Sequence, residues 1–437
     1  LGWSFLFLEE DAELKVMAPR GTRDMLPAQS HRWHAVEAEI RDLCAAFGYG
    51  EIRTPIFEHT ELFLRGIGDT TDVVQKEMYT FEDKGHRSIT LKPEGTAGVV
   101  RSFIEHGLYN DPQPTKMYYL STPVFRYENP QAGRLRQHHQ FGVEVFGAPQ
   151  ASADAEIISL ALMLFSRLGI RELSLRINSI GCPDCRPAYQ EALRSFLRQR
   201  LPLLCANCRQ RFETNPLRIL DCKEEGCREQ LHGVPVVLDY LCGDCSTHFA
   251  ALKAYLSALD IEFSIDPQIV RGLDYYTKTV FEIVSDAIGS QGTVCGGGRY
   301  DGLIGQCGGP EMPGVGFGMG MERLLMVMEN QGLTPGTAAR ADVFVGALGE
   351  AAQLQALSIA NRLRSKGIRA DVDHVGRSAK AQFKYMDKLG CRLAVMLGDQ
   401  ELSSGRCTVK DLRGGEPVEC GLNALESNIS RILQSQG

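Results

Sequence analysis

Residues 124–147 read VFRYENPQAGRLRQHHQFGVEVFG. Two apolar-aromatic arms flank a polar turn segment, NPQAGR, which predicts strand, loop, strand. Side chains alternate across a strand. In the second arm Gln140, Gly142 and Glu144 therefore share one face, and Phe141, Val143 and Val145 share the other. A carboxamide and a carboxylate on either side of a glycine leave a polar slot floored by bare backbone. Arg126, on the first arm, can lie across the same face. The loop adds Arg134 and Arg136, whose planar guanidinium groups suit phosphate better than a core. The same pattern fits a solvated hairpin with a charged rim, so the flanking sequence has to decide.

Upstream, residues 79–104 spell a hairpin around Lys84-Gly85, then LKPEGT, then a helix through Val99 and Phe103. If LKPEGT is extended, Glu94 and Thr96 point the same way, and the carboxylate and hydroxyl together suit a ligand ammonium. Alternatively Thr96 caps the following helix. Further back, PRGTRDMLP leads into an amphipathic stretch with Trp33, Val36, Ile40 and Leu43 at helical spacing. Gly48 and Gly50 end that helix. EIRTPIFE then reads as a strand whose Pro55 suits a sheet edge or a subunit contact.

Downstream, residues 153–168 predict a helix with Ile157, Leu160, Ala161 and Leu164 on one side, followed by a strand in RELSLRINSI. The segment IVRGLDYYTKTVFEI places an arginine, an aspartate and two tyrosines between strand-like runs. In a straight strand Arg271 and Tyr275 would share a face, so Gly272 must break the alternation for Arg271 and Tyr276 to serve one site. A buried tyrosine ladder is the plainer reading. CGGGRYDGLIGQCGG follows, where glycines permit close approach of a ligand. PGVGFGMGMERLLMVME is a glycine-rich strand feeding a helix, with Arg323 in the first turn, where free N–H groups also favour anions. It lacks the G-x-G-x-x-G spacing and the βαβ surroundings of a dinucleotide fold.

Residues 181–262 differ in texture. Cysteines arrive in four close pairs, Cys182 and Cys185, Cys205 and Cys208, Cys222 and Cys227, Cys242 and Cys245. Such spacings let two thiolates reach one tetrahedral ion, so the eight could hold one structural Zn2+ or two. Small buried residues at loop ends are the alternative. Residues 329–341 form a polar Gly/Pro-containing linker, after which strands and helices alternate to residue 437 as an α/β domain. Arg377, Lys380, Lys384, Lys388 and Arg392 make a basic run there, either a solvated helix face or a phosphate-backbone contact.

At 437 residues the chain exceeds one ordinary domain, and its 43% hydrophobic and 23% charged residues are those of a soluble globular protein. A net charge of −7 leaves any nucleic-acid site to a local basic patch. The opening LGWSFLFLEEDAELKV is no secretory signal, and no later run is long enough to span a bilayer. That predicts a cytoplasmic protein, no membrane partner, and fourteen cysteines that are thiols or metal ligands. Met17 precedes APRGTRD, so residues 1–17 are expected to be an extension of which 1–16 precede the natural start.

FRYENPQAGRLRQHHQFGVEVFG resembles motif 2 of class II aminoacyl-tRNA synthetases, GVGFGMGMERLL resembles motif 3, and IRTPIFE fits the looser motif 1. RGLDYYTKTVFEI with GGGRYDGL resembles the two signature motifs of the histidyl-tRNA synthetase family. The likeness runs from about Ala18 to the C-terminus, and the tail resembles that family's anticodon-binding domain. It implies an α+β fold: an antiparallel sheet flanked by helices over 18–328, an inserted Cys-rich domain at 181–262, and an α/β anticodon-binding domain at 342–437. It also implies a homodimer joined near motif 1. The reaction implied uses ATP and Mg2+ to activate L-histidine, releases pyrophosphate, and transfers histidine to the 3′ end of histidine tRNA.

The resemblance carries roles onto residues. Glu94, Thr96 and Gln140 would hold the histidine ammonium, Glu144 and Tyr276 would recognise the imidazole, and Gly95 and Tyr275 would line the same pocket. Arg126 would clamp the α-phosphate of ATP and Arg323 its tail, with Glu128 and Arg134 nearby. Arg271 would lie by the carboxylate and α-phosphate; with Arg126 it is the expected catalytic residue. Gln131 would contact the tRNA acceptor end. Asn129 stands where an arginine is expected, and His138 where an aromatic carbocycle is usual. The family's inserted domain does not generally need metal, so zinc rests on cysteine spacing. A regulatory subunit of ATP phosphoribosyltransferase shares this core but lacks the tail and RGLDYY; a prolyl or threonyl enzyme would not need Glu144 and Tyr276.

Overall fold

The computed structural model describes residues 17–68, 71, 73–130, 135–222, 224–286, 292–337 and 341–434. The expected N-terminal extension, up to residue 16, lies outside them. The chain divides into two compact units between Gly336 and Thr337.

The strands of the first unit are β1 (Gly50–Glu51), β2 (Phe57–His59), β3 (Tyr79–Glu82), β4 (Ser88–Leu91), β5 (Thr115–Phe125), β6 (Gln137–Phe146), β7 (Leu173–Ser179), β8 (Ser264–Ile265), β9 (Thr277–Ser285), β10 (Thr293–Arg299) and β11 (Gly314–Gly320). Eight of them form one sheet in the order β1-β5-β6-β11-β10-β9-β7-β8, while β2, β4 and β3 form a small one. Pairing is antiparallel from β5 across to β7, and β1 and β8 add parallel edges.

Alternation along β6 divides the sheet into a packed face and a site face. Phe141, Val143 and Val145 are buried with Trp33, Val36, Ile40 and Leu43 of the helix Pro27–Ala46, and with Ile157, Leu160, Ala161 and Leu164 of the helix Ala151–Arg167. Each valine, leucine, isoleucine and phenylalanine among them contributes roughly 1.5–3 kcal/mol by leaving water. The opposite face carries Tyr119, Phe146, Tyr275, Tyr276 and Tyr300.

Three sequence expectations are modified. EIRTPIFE is not one strand: β1 edges the large sheet, β2 belongs to the small one, and Pro55 lies between them. Proline lacks the N–H a ladder needs, so the chain changes sheets there. The expected insert 181–262 is shorter in its packing. Helices Arg186–Arg198, Ala206–Thr214 and Glu225–Glu229 enclose their own core of Tyr189, Leu193, Phe212, Ile219 and Val237. The helix Gly243–Ala258, however, buries Phe249, Leu252 and Leu256 in the main core, since an apolar face at helical spacing must be covered. Finally, the helix Met321–Asn330 runs two residues into the expected linker and gives way at Gly332, whose φ of +72° few other residues adopt.

The second unit has strands β12 (Val343–Ala347), β13 (Ala370–Val372), β14 (Leu393–Leu397), β15 (Arg406–Asp411) and β16 (Val418–Gly421), in the order β13-β12-β14-β15-β16. The first three are parallel and the last two antiparallel, with the helix Glu350–Ser365 packed on the sheet. Of the basic run, Lys380, Lys384 and Lys388 are exposed at i, i+4 spacing on the helix Ala379–Leu389. The two arginines serve the fold instead. Arg377 pairs with Asp373 and lies 4.1 Å from the Tyr385 ring centre, and Arg392 donates to the Ile432 carbonyl at 3.0 Å. Among the described residues no helix is long and apolar enough to cross a membrane.

Candidate active site

The β5–β6 register sets Thr122 against Gln140, Tyr119 against Gly142 and Met117 against Glu144. Pairing shifts between Tyr119 and Thr122, where Ser121 takes a φ of +48°. The slot beside Gly142 is not bare backbone: the Tyr119 ring fills it. A Cβ on Gly142 would lie 2.3 Å from Tyr119 Cζ, and one on Gly95 2.4 Å from the same atom. A glycine opposite an aromatic on the neighbouring strand lets the ring lie across it. Gly142→Ala would press on this ring and on the Phe317 carbonyl, 2.7 Å from the added methyl. We expect a stability loss of roughly 1–3 kcal/mol, read as a lower urea midpoint; an unchanged midpoint contradicts the close packing.

Glu144 is fully buried. Thr96 Oγ1 donates to its Oε1 at 2.7 Å, and the Tyr300 hydroxyl donates to Oε2. Across the sheet, Gly316 leaves the room: a Cβ there would lie 2.0 Å from Oε2. Burial pushes this carboxyl up to about 8, against the Tyr300 and Thr96 donors and with the repulsion of Glu94.

Glu94 does not stand free beside Thr96. Its oxygens accept the backbone N–H groups of Thr96 and Ala97, each at 2.7 Å. The carboxylate of Glu94 thus satisfies the start of the helix Thr96–Glu105, whose N-cap is Gly95, and Thr96 is not the cap. That frees the Thr96 hydroxyl for Glu144. Burial raises the Glu94 carboxyl above its ordinary range despite these donors. Nearby, the carbonyl oxygen of Gln140 is buried with no partner among the described residues, an acceptor aimed at no protein donor.

The second wall comes from later in the chain. Residues 272–275 form a turn that breaks the strand alternation, so Arg271 and Tyr276 face one site, with Arg271 Cζ 5.8 Å from the Tyr276 ring centre. Arg271 Nη1 donates to Glu282 Oε1 on β9 at 2.6 Å, and the guanidinium lies flat on Gly296, where a Cβ would meet Nη1 at 2.4 Å. Its Nε is buried without a partner among the described residues. Tyr275 and Tyr276 have ring centres 4.7 Å apart, and Tyr275 lies 5.5 Å from Tyr300.

Arg126 follows β5; its Nε donates to the Pro93 carbonyl at 2.9 Å, beside Glu94, and Nη1 faces Glu77 at 3.8 Å. Arg323 Nη1 reaches the Thr293 carbonyl at 2.7 Å. Glu128 is half-buried, and its carbonyl accepts from Arg136 Nε at 3.1 Å. Arg136 also lies 4.1 Å from the Tyr127 ring centre, so it braces the hairpin rather than facing outward. Gln131 and Arg134 lie outside the described residues.

Sequence reading missed Tyr119, Tyr300, Glu282 and a buried network beneath them. Arg299 and Asp154 are fully buried as an ion pair, with His248 Nε2 3.3 Å from Asp154 Oδ1 and the Ala148 carbonyl 2.9 Å from Arg299 Nη1. The network fixes the residue before Tyr300. Its one signal was Asp154 at a core-facing position of an apolar helix. Apart from this pocket, the eight paired cysteines gather into two groups, Cys182, Cys185, Cys242 and Cys245, and Cys205, Cys208, Cys222 and Cys227. The sulfurs of each group lie within 4.8 Å of one another.

An antiparallel sheet of this order, an arginine-bearing hairpin and a glycine strand running into an arginine-bearing helix define the catalytic core of a class II aminoacyl-tRNA synthetase. Residues 21–324 match the family described as histidyl-tRNA synthetase, and residues 342–432 match the anticodon binding domain. The chain belongs to the histidyl-tRNA synthetase family. It is 56% identical over 412 residues to the histidine--tRNA ligase of Caldanaerobacter subterraneus subsp. tengcongensis, and 58% identical over 412 residues to that of Acetivibrio thermocellus. Each alignment covers 94% of this chain and 99% of the relative. The apo histidyl-tRNA synthetase of S. aureus superposes with a TM-score of 0.80 at 40% identity, covering 95% of this chain and 99% of that one.

Proposed function

We propose that this chain is a histidine–tRNA ligase that activates L-histidine with ATP to histidyl-adenylate, releases pyrophosphate, and transfers histidine to the 3′ end of histidine tRNA. The observation that carries this is Glu144, held between Thr96 and Tyr300 in one pocket with Tyr276 and Arg271. A buried carboxylate accepts an imidazole N–H, and a phenol pairs with the other ring nitrogen. The unpartnered Gln140 carbonyl fits an ammonium donor, with Glu94 supplying charge.

Arg126 and Arg323 suit a triphosphate, and Mg2+ arriving with the nucleotide supplies further neutralisation of its charge. Arg271, with an unpartnered Nε–H, would bridge the histidine carboxylate and the α-phosphate. As carboxylate oxygen attacks phosphorus, charge grows on the equatorial oxygens, and a cation already in place needs no reorganisation. No side-chain nucleophile is required. The second unit would bind the anticodon arm, and its lysines 380, 384 and 388 suit backbone phosphates. The site of action would be the cytoplasm.

A homodimer is the proposed assembly. In its favour, Ile56 (43% exposed), Phe57 (54%), Leu64 (42%) and Phe81 (48%) cluster around the small β2-β4-β3 sheet, next to the motif 1 segment. Against the regulatory-subunit reading stand the second unit and RGLDYY, both present. Amino-acid-dependent exchange of pyrophosphate into ATP, without tRNA, tests the activity. Exchange with histidine alone among the amino acids is expected; none from folded protein would sink the enzyme reading.

A further inference from the structure

We propose that residues 182–245 bind two structural zinc ions in nested tetrathiolate sites, and that the outer one positions the turn recognising histidine. The outer site joins the first and last cysteine pairs, Cys182 and Cys185 with Cys242 and Cys245. The inner joins the middle two, Cys205 and Cys208 with Cys222 and Cys227. Spacing along the chain leaves three ways to combine four pairs, and folding selects this one.

The geometry is that of a metal centre rather than of a disulfide. Cys182 Sγ lies 3.6 Å from Cys185 Sγ and 3.8 Å from Cys242 Sγ. A tetrahedron with Zn–S bonds of about 2.3 Å has sulfur–sulfur edges of about 3.8 Å, whereas a disulfide draws one pair to about 2.05 Å and leaves the others out. In both groups every sulfur has three sulfur neighbours within 4.8 Å. Backbone N–H groups already point at sulfur: Cys242 N to Cys185 Sγ at 3.1 Å, Cys205 N to Cys227 Sγ at 3.1 Å, and Cys208 N to Cys205 Sγ at 3.4 Å. Such donors stabilise the thiolate form that a metal requires. Four thiolates close the coordination shell, which leaves no position for water or substrate, so the role is structural.

The outer site lies directly behind the Arg271–Tyr276 turn. Gly181, one residue before Cys182, accepts Lys278 N–H at 2.8 Å, and Ile180 N–H donates to the Lys278 carbonyl at 2.8 Å. Arg186, one residue after Cys185, donates to the Tyr276 carbonyl. From between the inner pairs, Asn215 Nδ2 holds Asp274 Oδ1 at 2.8 Å, and Arg218 Nη1 reaches the Arg271 carbonyl at 3.4 Å. The insert has a small core of its own, and cross-linking it by metal would fix where Arg186, Asn215 and Arg218 meet the turn and where Ile180 and Gly181 meet the strand that follows it.

Elemental analysis of the purified full chain is expected to find two zinc ions per molecule. Zinc-depleted chain refilled with cobalt should show the intense thiolate-to-metal absorption of tetrahedral CoS4 at two equivalents. A metal-free preparation that is stable and active, one ion per chain, or iron in place of zinc would each overturn the two-zinc assignment. Cys242→Ser should retain one ion and raise the histidine KM by about 10-fold with the ATP KM little changed. A variant that loses one zinc yet keeps the wild-type histidine KM defeats the positioning role. If Cys242→Ser does not fold, graded chelation of wild-type protein gives the same comparison. The positioning claim rests on the histidine-pocket reading, while the metal count is independent of it and of any activity.

Discussion

Arg271→Ala is expected to lower histidine activation by about 10²- to 10³-fold, the loss that follows removal of one preorganised donor to a developing oxyanion. Histidine and ATP should still bind with affinities close to wild type. The reasoning starts from placement. Arg271 is held at one end by Glu282 at 2.6 Å and rests flat on Gly296, so its position is fixed before substrate arrives. Its Nε–H has no partner among the described residues and is free for a ligand oxygen. A group anchored this way contributes most where charge is largest, which is the pentacovalent phosphorus rather than ground-state ATP. Pyrophosphate exchange measures the rate, and equilibrium binding of histidine and of a non-hydrolysable ATP analogue measures the ground state. Equal losses in both would make Arg271 a binding residue and end its transition-state role. Arg271→Lys keeps the charge but not the flat fork, and should fall between the two.

How much of this was legible in the chain depends on the range of each signal. The strand faces of β6 followed from alternation alone, because Phe141, Val143 and Val145 demanded burial and forced Gln140, Gly142 and Glu144 to the other side. The helix Pro27–Ala46 and the glycine strand into the helix Met321–Asn330 were equally local. Contacts between distant segments left no such pattern. Nothing local sets Tyr119 apart from other strand aromatics, and only the β5–β6 register places its ring on Gly142. Tyr300 and Glu282 meet Glu144 and Arg271 through the order of strands, which periodicity does not encode. The glycines carried more than was read from them. Gly142, Gly296 and Gly316 each make room for a specific side chain, Tyr119, Arg271 and Glu144 in turn. The cysteines show the opposite case. Their pair spacing was plain in the sequence, but which pairs meet was decided by the insert's own fold.

Glu144→Gln is expected to raise the histidine KM by about 10- to 100-fold, the worth of a hydrogen bond to a charged group, with a smaller effect on ATP. The wild-type pocket should reject an apolar isostere of histidine by about 10⁴-fold, because Glu144 and Tyr276 would then be buried without partners; the variant should lose much of that discrimination. Charge state gives a second, independent readout. Burial, reinforced by Glu94, pushes the Glu144 carboxyl up to about 8 from an ordinary 4.5, although Tyr300 and Thr96 donate to it. Between those values the unfolded chain has released this proton and the folded chain still holds it. Folding stability from this group is therefore full below about 4.5 and declines as pH rises toward about 8. The limiting slope is about 1.4 kcal/mol per pH unit. Glu144→Gln cannot ionise, so its stability relative to wild type should improve as pH rises from 5 to 8. Histidine should act oppositely on the wild-type protein. An imidazole N–H donated to the carboxylate favours the ionised form, lowers its pKa, and releases a proton on binding near neutral pH. Calorimetry in buffers of different ionisation enthalpy measures that proton directly. Histidine binding with no proton release near pH 7, together with parallel pH–stability curves for wild type and variant, would show that Glu144 is ionised throughout and does not titrate in the pocket.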